Sequence, residues 1–115
     1  MSHMDILDRL YALIVERRGA DPSASYIAKR LQQGTAKIAQ KVGEEAVETV
    51  IAAMQKDKKE LIGESADMIF HWLMLLADGG VGLDEVMKEL ERREGVSGLD
   101  EKAGRKLLKR RATDE

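Results

Sequence analysis

Apolar residues recur at helical spacing along most of this chain, and turn-forming residues mark where each run stops. Ile6, Leu7, Leu10, Leu13 and Ile14 share one side of a helix expected over about residues 5–18, with Asp5 as its cap and Gly19 as its end. Residues 19–25 read as a loop around Pro22, after which Ser23 or Ser25 starts a short helix containing Tyr26, Ile27 and Leu31 and stopped near Gly34. A long helix is expected over about residues 35–56. Measured from Glu44 at 100° per residue, Ile38, Val42, Ala46, Thr49, Val50 and Ala53 fall between about 120° and 240°, an expected inward stripe. Val47, Ile51 and Met54 fall on a separate side, at about 280–340°. After a charged turn at 57–60, a helix over about 59–77 is followed by the stop Asp78-Gly-Gly-Val-Gly82 and a last helix over about 83–93 that packs Val86, Met87 and Leu90.

This is an all-α pattern, and the rest of the sequence agrees with it. The chain has 115 residues, enough for one domain, with a single proline and four aromatic residues, which argues against a β-sandwich or barrel. The expected organisation is a helical domain at 5–94, a tag remnant or disordered N-terminus at 1–4 and a charged tail at 95–115. A long helix with two apolar sectors suits a four- or five-helix bundle completed by dimerisation. The plainer reading is that the second sector faces the chain's own terminal helices.

Charge and composition narrow the function. A formal net charge of −2 and the lack of aromatic residues interleaved with basic ones exclude a general nucleic-acid surface. The longest apolar run, around Phe70 to Leu76, is too short to cross a bilayer, and the N-terminus does not read as a signal peptide, so a cytoplasmic location is expected. No cysteine is available for a thiolate metal site.

The chemistry lies in two carboxylate clusters. Lys41-Val-Gly-Glu-Glu-Ala-Val-Glu48 carries Glu44, Glu45 and Glu48, and Glu64-Ser-Ala-Asp67 carries the second pair. Glu44 and Glu48 lie about 40° apart on the wheel, Glu45 about 100° from Glu44, and Glu64 and Asp67 about 60° apart. Like charges packed on one face repel, and a hard, oxygen-preferring cation such as Mg²⁺, or Mn²⁺, would relieve them. A solvated acidic surface is the bland alternative, weakened by the apolar run that starts at Met68. Lys37 and Lys41 extend the first cluster towards the N-terminus and suit a substrate's phosphates, although Lys41 could simply pair with Glu45. His71, one turn past Asp67, reads either as a supporting residue behind the carboxylates or as packing, and Trp72 as core or subunit interface.

EExxE followed by ExxD resembles the magnesium signature of the all-α nucleoside triphosphate pyrophosphatases. The run Ser25 to Ala53 resembles more narrowly the phosphoribosyl-ATP pyrophosphatase family, over about residues 5–94. The resemblance implies hydrolysis of phosphoribosyl-ATP to phosphoribosyl-AMP and pyrophosphate in histidine biosynthesis, with Mg²⁺ held by a set drawn from Glu44, Glu45, Glu48, Glu64 and Asp67. Glu45 and Glu48 are the candidate catalytic carboxylates, with Glu45 able to accept a water's proton, and a separate phosphoribosyl-AMP cyclohydrolase is the expected downstream partner. A house-cleaning nucleotide pyrophosphatase and a helical module without turnover are the rivals.

Overall fold

The computed structural model describes residues 5–95, so the expected tag remnant and all but the first residue of the charged tail lie outside it. The described residues are helical, without strands: α1 (Asp5–Glu16), α2 (Tyr26–Gln32), α3 (Thr35–Met54), α4 (Lys58–Asp78) and α5 (Leu83–Glu94). The chain divides into two compact units, the first reaching Leu83 and the second starting at Asp84. No single helix among the described residues is long and apolar enough to cross a membrane.

Local chemistry sets the helix ends. α1 stops two residues before the expected Arg18, because the chain tightens into a turn there: the Arg18 N–H bonds the Val15 carbonyl at 3.2 Å, and Gly19 follows at φ 79°. Ser25, not Ser23, caps α2, its Oγ accepting the Ala28 N–H at 3.2 Å. Ser23 is held instead in a turn by Asp21, whose Oδ1 accepts from its N–H and hydroxyl at 3.0 and 2.8 Å. Asp57 is the cap of α4 and accepts from the Glu60 N–H at 3.1 Å.

The connection from α3 to α4 is three residues long, which makes the two helices antiparallel neighbours. It is a Schellman turn: the Asp57 N–H bonds the Ala52 carbonyl at 3.2 Å and the Lys56 N–H that of Ala53 at 3.1 Å. The left-handed position belongs to Lys56, at φ 59°, where glycine is usual. α4 ends in the same motif with Gly80 in that place, at φ 71°.

Within the first unit α4 is the central helix. It packs most extensively on α3 and also touches α1 and α2. Ile14, Ile38, Leu73 and Met74 are fully buried, with Ile27, Ala28, Ala52, Ala77 and Leu83 around them. The Tyr11 hydroxyl donates to the Val81 carbonyl at 2.6 Å, holding α1 to the turn after α4. At the open end of the hairpin the Thr35 hydroxyl donates to Asp78 Oδ2 at 2.6 Å.

The expected inward stripe of α3 needs correction. Val50 is 61% exposed and Ala53 is also at the surface, while the buried line runs Ile38, Glu45, Ala52. Those three positions centre near 100° on the wheel, not near 180°. The inward face is the side that meets α4, and it includes a carboxylate.

α5 carries Asp84 and Glu85 in its first turn and Arg92 and Arg93 in its last, the arrangement its dipole favours. Glu89 binds Arg92 at 2.7 Å and Arg93 at 3.1 Å, and Leu90 of the expected packing face stays largely exposed.

Candidate metal centre

The antiparallel hairpin brings the two acidic stretches level with each other. Glu48 lies towards the end of α3 and Glu64 in the second turn of α4, so a short connection sets them side by side. Carboxylate oxygens of Glu45, Glu48 and Glu64 lie within 4.8 Å of one another. The three differ in depth: Glu45 is 8% exposed, Glu64 is half-buried and Glu48 faces solvent.

Three carboxylates this close cannot all stay ionised without a compensating charge. Glu64 is pushed up to about 7, first by a hydrogen bond shared with Glu48, then by desolvation, then by the charges of Glu48 and Glu45. Oε2 of Glu45 and Oε2 of Glu64 are buried without a hydrogen-bond partner. Buried carboxylate oxygens that lack partners and crowd one another are a donor set suited to a hard divalent cation. The residues present therefore fit Mg²⁺ or Mn²⁺.

The other expected site residues are arranged differently. Glu44 stands outside the cluster on the exposed side of α3, where Gln40 Nε2 donates to its Oε1 at 2.8 Å and Lys41 Nζ lies 3.5 Å from its Oε2. The Gln40 hydrogen bond is the main reason its carboxyl is held below the usual range. Lys41 also lies 3.9 Å from Glu45 Oε1, so the expected pairing is present and the ammonium sits half-buried between two carboxylates. Lys37 lies one turn earlier, half-buried, and its charge reaches Glu44. Asp67 is exposed, and its carboxylate does not join the group of three.

His71 is buried, at 6% exposure, and its Nδ1 is 2.8 Å from the Asp67 backbone carbonyl, not from a carboxylate. Its Nε2 is 3.2 Å from the Tyr26 hydroxyl, which accepts from Arg30 Nε at 2.9 Å. Tyr26 and Arg30 were not among the residues expected here. Their i,i+4 spacing was visible in the sequence, whereas their pairing with a residue 45 positions away was not.

The cluster is open on one side. A hollow of about 400 Å³ between helices lies elsewhere, lined by Arg18, Pro22, Leu31 and Asp78. Asp78 and Glu64 are 14 residues apart on one helix, about 21 Å. Both helices also expose apolar residues, Val47, Val50, Ile51 and Met54 on α3 and Ile62 and Ile69 on α4, and of these Val47 lines the surface next to Glu48.

Residues 7–94 match the family model described as phosphoribosyl-ATP pyrophosphohydrolase. Similar curated proteins carry the name phosphoribosyl-ATP pyrophosphatase. The one from Novosphingobium aromaticivorans is 61% identical over 105 residues, 91% of this chain and 98% of that protein. The one from Erythrobacter litoralis is 59% identical over 102 residues, 89% and 98% of the two chains. The one from Azospirillum brasilense is 55% identical over 101 residues, 88% and 91%.

Proposed function

The chain belongs to the phosphoribosyl-ATP pyrophosphohydrolase family, and from that membership we propose how its carboxylates perform the reaction. It is a hydrolase that converts phosphoribosyl-ATP and water to phosphoribosyl-AMP and pyrophosphate, a step of histidine biosynthesis. The observation that carries the mechanistic reading is the convergence of Glu45, Glu48 and Glu64 within 4.8 Å.

Glu45, Glu48 and Glu64 would hold Mg²⁺, and Asp67, one turn along α4 from Glu64, would be a further ligand. A cation held there would supply positive charge to the triphosphate oxygens and lower the pKa of the attacking water. Lys41 and Lys37 continue the site along α3 and neutralise phosphate charge beyond the cation's reach. Substrate phosphates take Lys41 away from Glu44 and Glu45, exchanging an intrahelical ion pair for contact with a polyanion. Of the two candidate catalytic carboxylates, Glu48 faces solvent, the side from which the attacking water arrives, and Glu45 lies deeper, and both serve as ligands.

The apolar side of α3 reaches this open side at Val47, next to Glu48. A second copy laid against that apolar side would cover Val47, Val50, Ile51 and Met54 and turn an open surface into an enclosed site, so the working unit is a homodimer in the cytoplasm. Its product passes to a phosphoribosyl-AMP cyclohydrolase.

The test is pyrophosphate release from phosphoribosyl-ATP and from ATP, with Mg²⁺ and again with excess chelator. Release from phosphoribosyl-ATP alone, abolished by chelator, is the expected result. Equal release from ATP would contradict the assigned substrate, and chelator-insensitive release would contradict the cation site.

A further inference from the structure

One polar chain joins α2 to α4, and the scheme above makes no use of it. It consists of Arg30, Tyr26, His71 and the Asp67 carbonyl, with separations of 2.9, 3.2 and 2.8 Å. The Arg30 guanidinium also lies over the Tyr26 ring, 5.0 Å from its centroid, and Phe70 packs against both rings, at 6.2 Å from Tyr26 and 5.6 Å from His71.

The direction of each hydrogen bond can be worked out from what each atom is able to do. A carbonyl oxygen only accepts, so Nδ1 of His71 carries a proton. In a neutral imidazole the other nitrogen then offers a lone pair, and the Tyr26 O–H is its donor. The hydroxyl's own lone pair takes the Arg30 Nε–H. The opposite tautomer would set the Nδ1 lone pair against the Asp67 carbonyl and leave the Tyr26 proton facing an N–H.

The chain ends where it matters for the carboxylates. On the α4 wheel Glu64, Asp67 and His71 share one stripe within about 60°, and the His71 ring meets that stripe at the Asp67 carbonyl. We infer that Tyr26 is a positioning residue for the carboxylate site: its hydroxyl donates to Nε2 of His71, whose Nδ1–H is held by the Asp67 carbonyl, and the ring so anchored docks α2 onto the Asp67 turn of α4. The inference rests on the reading that Glu64 and Asp67 serve a cation. Tyr26 is 49% exposed and binds nothing in that scheme itself. Removing its hydroxyl deprives Nε2 of its donor, unfastens the ring from α2 and loosens the turn without deleting a ligand.

Tyr26→Phe in the full chain tests this. Long-range ¹⁵N correlation spectra of the imidazole rings, with His71 identified by its absence in His71→Gln, should show the wild-type ring donating from Nδ1 and accepting at Nε2. In Tyr26→Phe the Nε2 resonance of the same ring should move as that nitrogen loses its hydrogen-bond donor, with Nδ1 still protonated. Mn²⁺ binding followed by electron paramagnetic resonance should weaken about tenfold in Tyr26→Phe, as is usual when support behind a ligand is lost, and should weaken further in Glu48→Gln. A wild-type ring carrying its proton on Nε2, or on both nitrogens, overturns the inference. So does wild-type Mn²⁺ affinity in Tyr26→Phe when Glu48→Gln has lost it. Undiminished affinity in both variants would instead sink the carboxylate reading, and this inference with it.

Discussion

The Thr35 hydroxyl donates to Asp78 Oδ2 at 2.6 Å, tying the first residue of α3 to the last of α4 across 43 positions of sequence. At the other end the Schellman turn at Lys56 joins the same two helices. The hairpin is thus fastened at both ends, and its register decides which carboxylates meet. Thr35→Val removes the far fastening and is expected to cost about 1 kcal/mol. Activity at saturating Mg²⁺ should be nearly unchanged, because the carboxylates lie about 20 Å away along α4. Urea unfolding and steady-state turnover check the two halves of this statement.

Lys56 occupies a left-handed backbone position at φ 59°. A side chain there costs about 1–2 kcal/mol, and glycine gives back about 0.5–1 kcal/mol of that in unfolded-chain entropy. Lys56→Gly is therefore expected to stabilise the chain by up to about 1 kcal/mol, read as a higher urea midpoint at unchanged slope.

Glu64 links stability to pH. Its carboxyl is pushed from the usual 4.5 up to about 7 in the fold, chiefly by the bond shared with Glu48. The folded chain holds that proton more tightly than the unfolded one, so the contribution is complete below about 4.5 and is lost as pH rises to about 7. In chelator, the melting temperature should fall across that window. Mg²⁺ competes with the proton and should flatten the decline, and Glu64→Gln should remove it. A chelated protein whose melting temperature rises over the same interval would contradict the assignment.

Ligand loss should exceed the 10–100-fold cost typical of losing a supporting partner. Glu48→Gln is accordingly expected to lower kcat at least about 100-fold with the helical circular dichroism unchanged. Asp67→Asn should show a smaller loss that excess Mg²⁺ partly restores, since that carboxylate stands outside the group of three. Near-normal turnover in both would contradict the proposed centre.

Charging the apolar side of α3 tests the assembly. Val50→Glu places a carboxylate on a position that is 61% exposed in the single chain. Sedimentation should show a wild-type dimer and a monomeric variant that is still helical.

Most of the helical pattern could be read from residue spacing, because amphipathic runs and turn residues are local signals. The cap at Ser25 could not be separated from Ser23, since both are serines before the same run and the difference lies in Asp21 engaging the first. The wheel of α3 placed its carboxylates together but set the inward face about 80° off. Apolar residues on α3 point in two directions, and only the position of α4 shows which side is buried in the chain itself. Glu44 illustrates the same limit. Its neighbour Glu45 is chemically identical, and a rotation of 100° separates a surface residue paired with Gln40 from one beneath α4. The Tyr26–His71 bond had no local signature, as it depends on how α2 docks.

The line Ile38, Glu45, Ala52 also bears on efforts to make the protein hardier. Redesign guided by hydrophobic patterning would place leucine at position 45, and exchanging a buried charge for an apolar side chain often raises stability. Glu45→Leu would then survive heat better and hydrolyse nothing. Selection for thermal endurance alone would drive this hairpin away from its activity, so any thermostability screen of this chain has to read turnover at the same time.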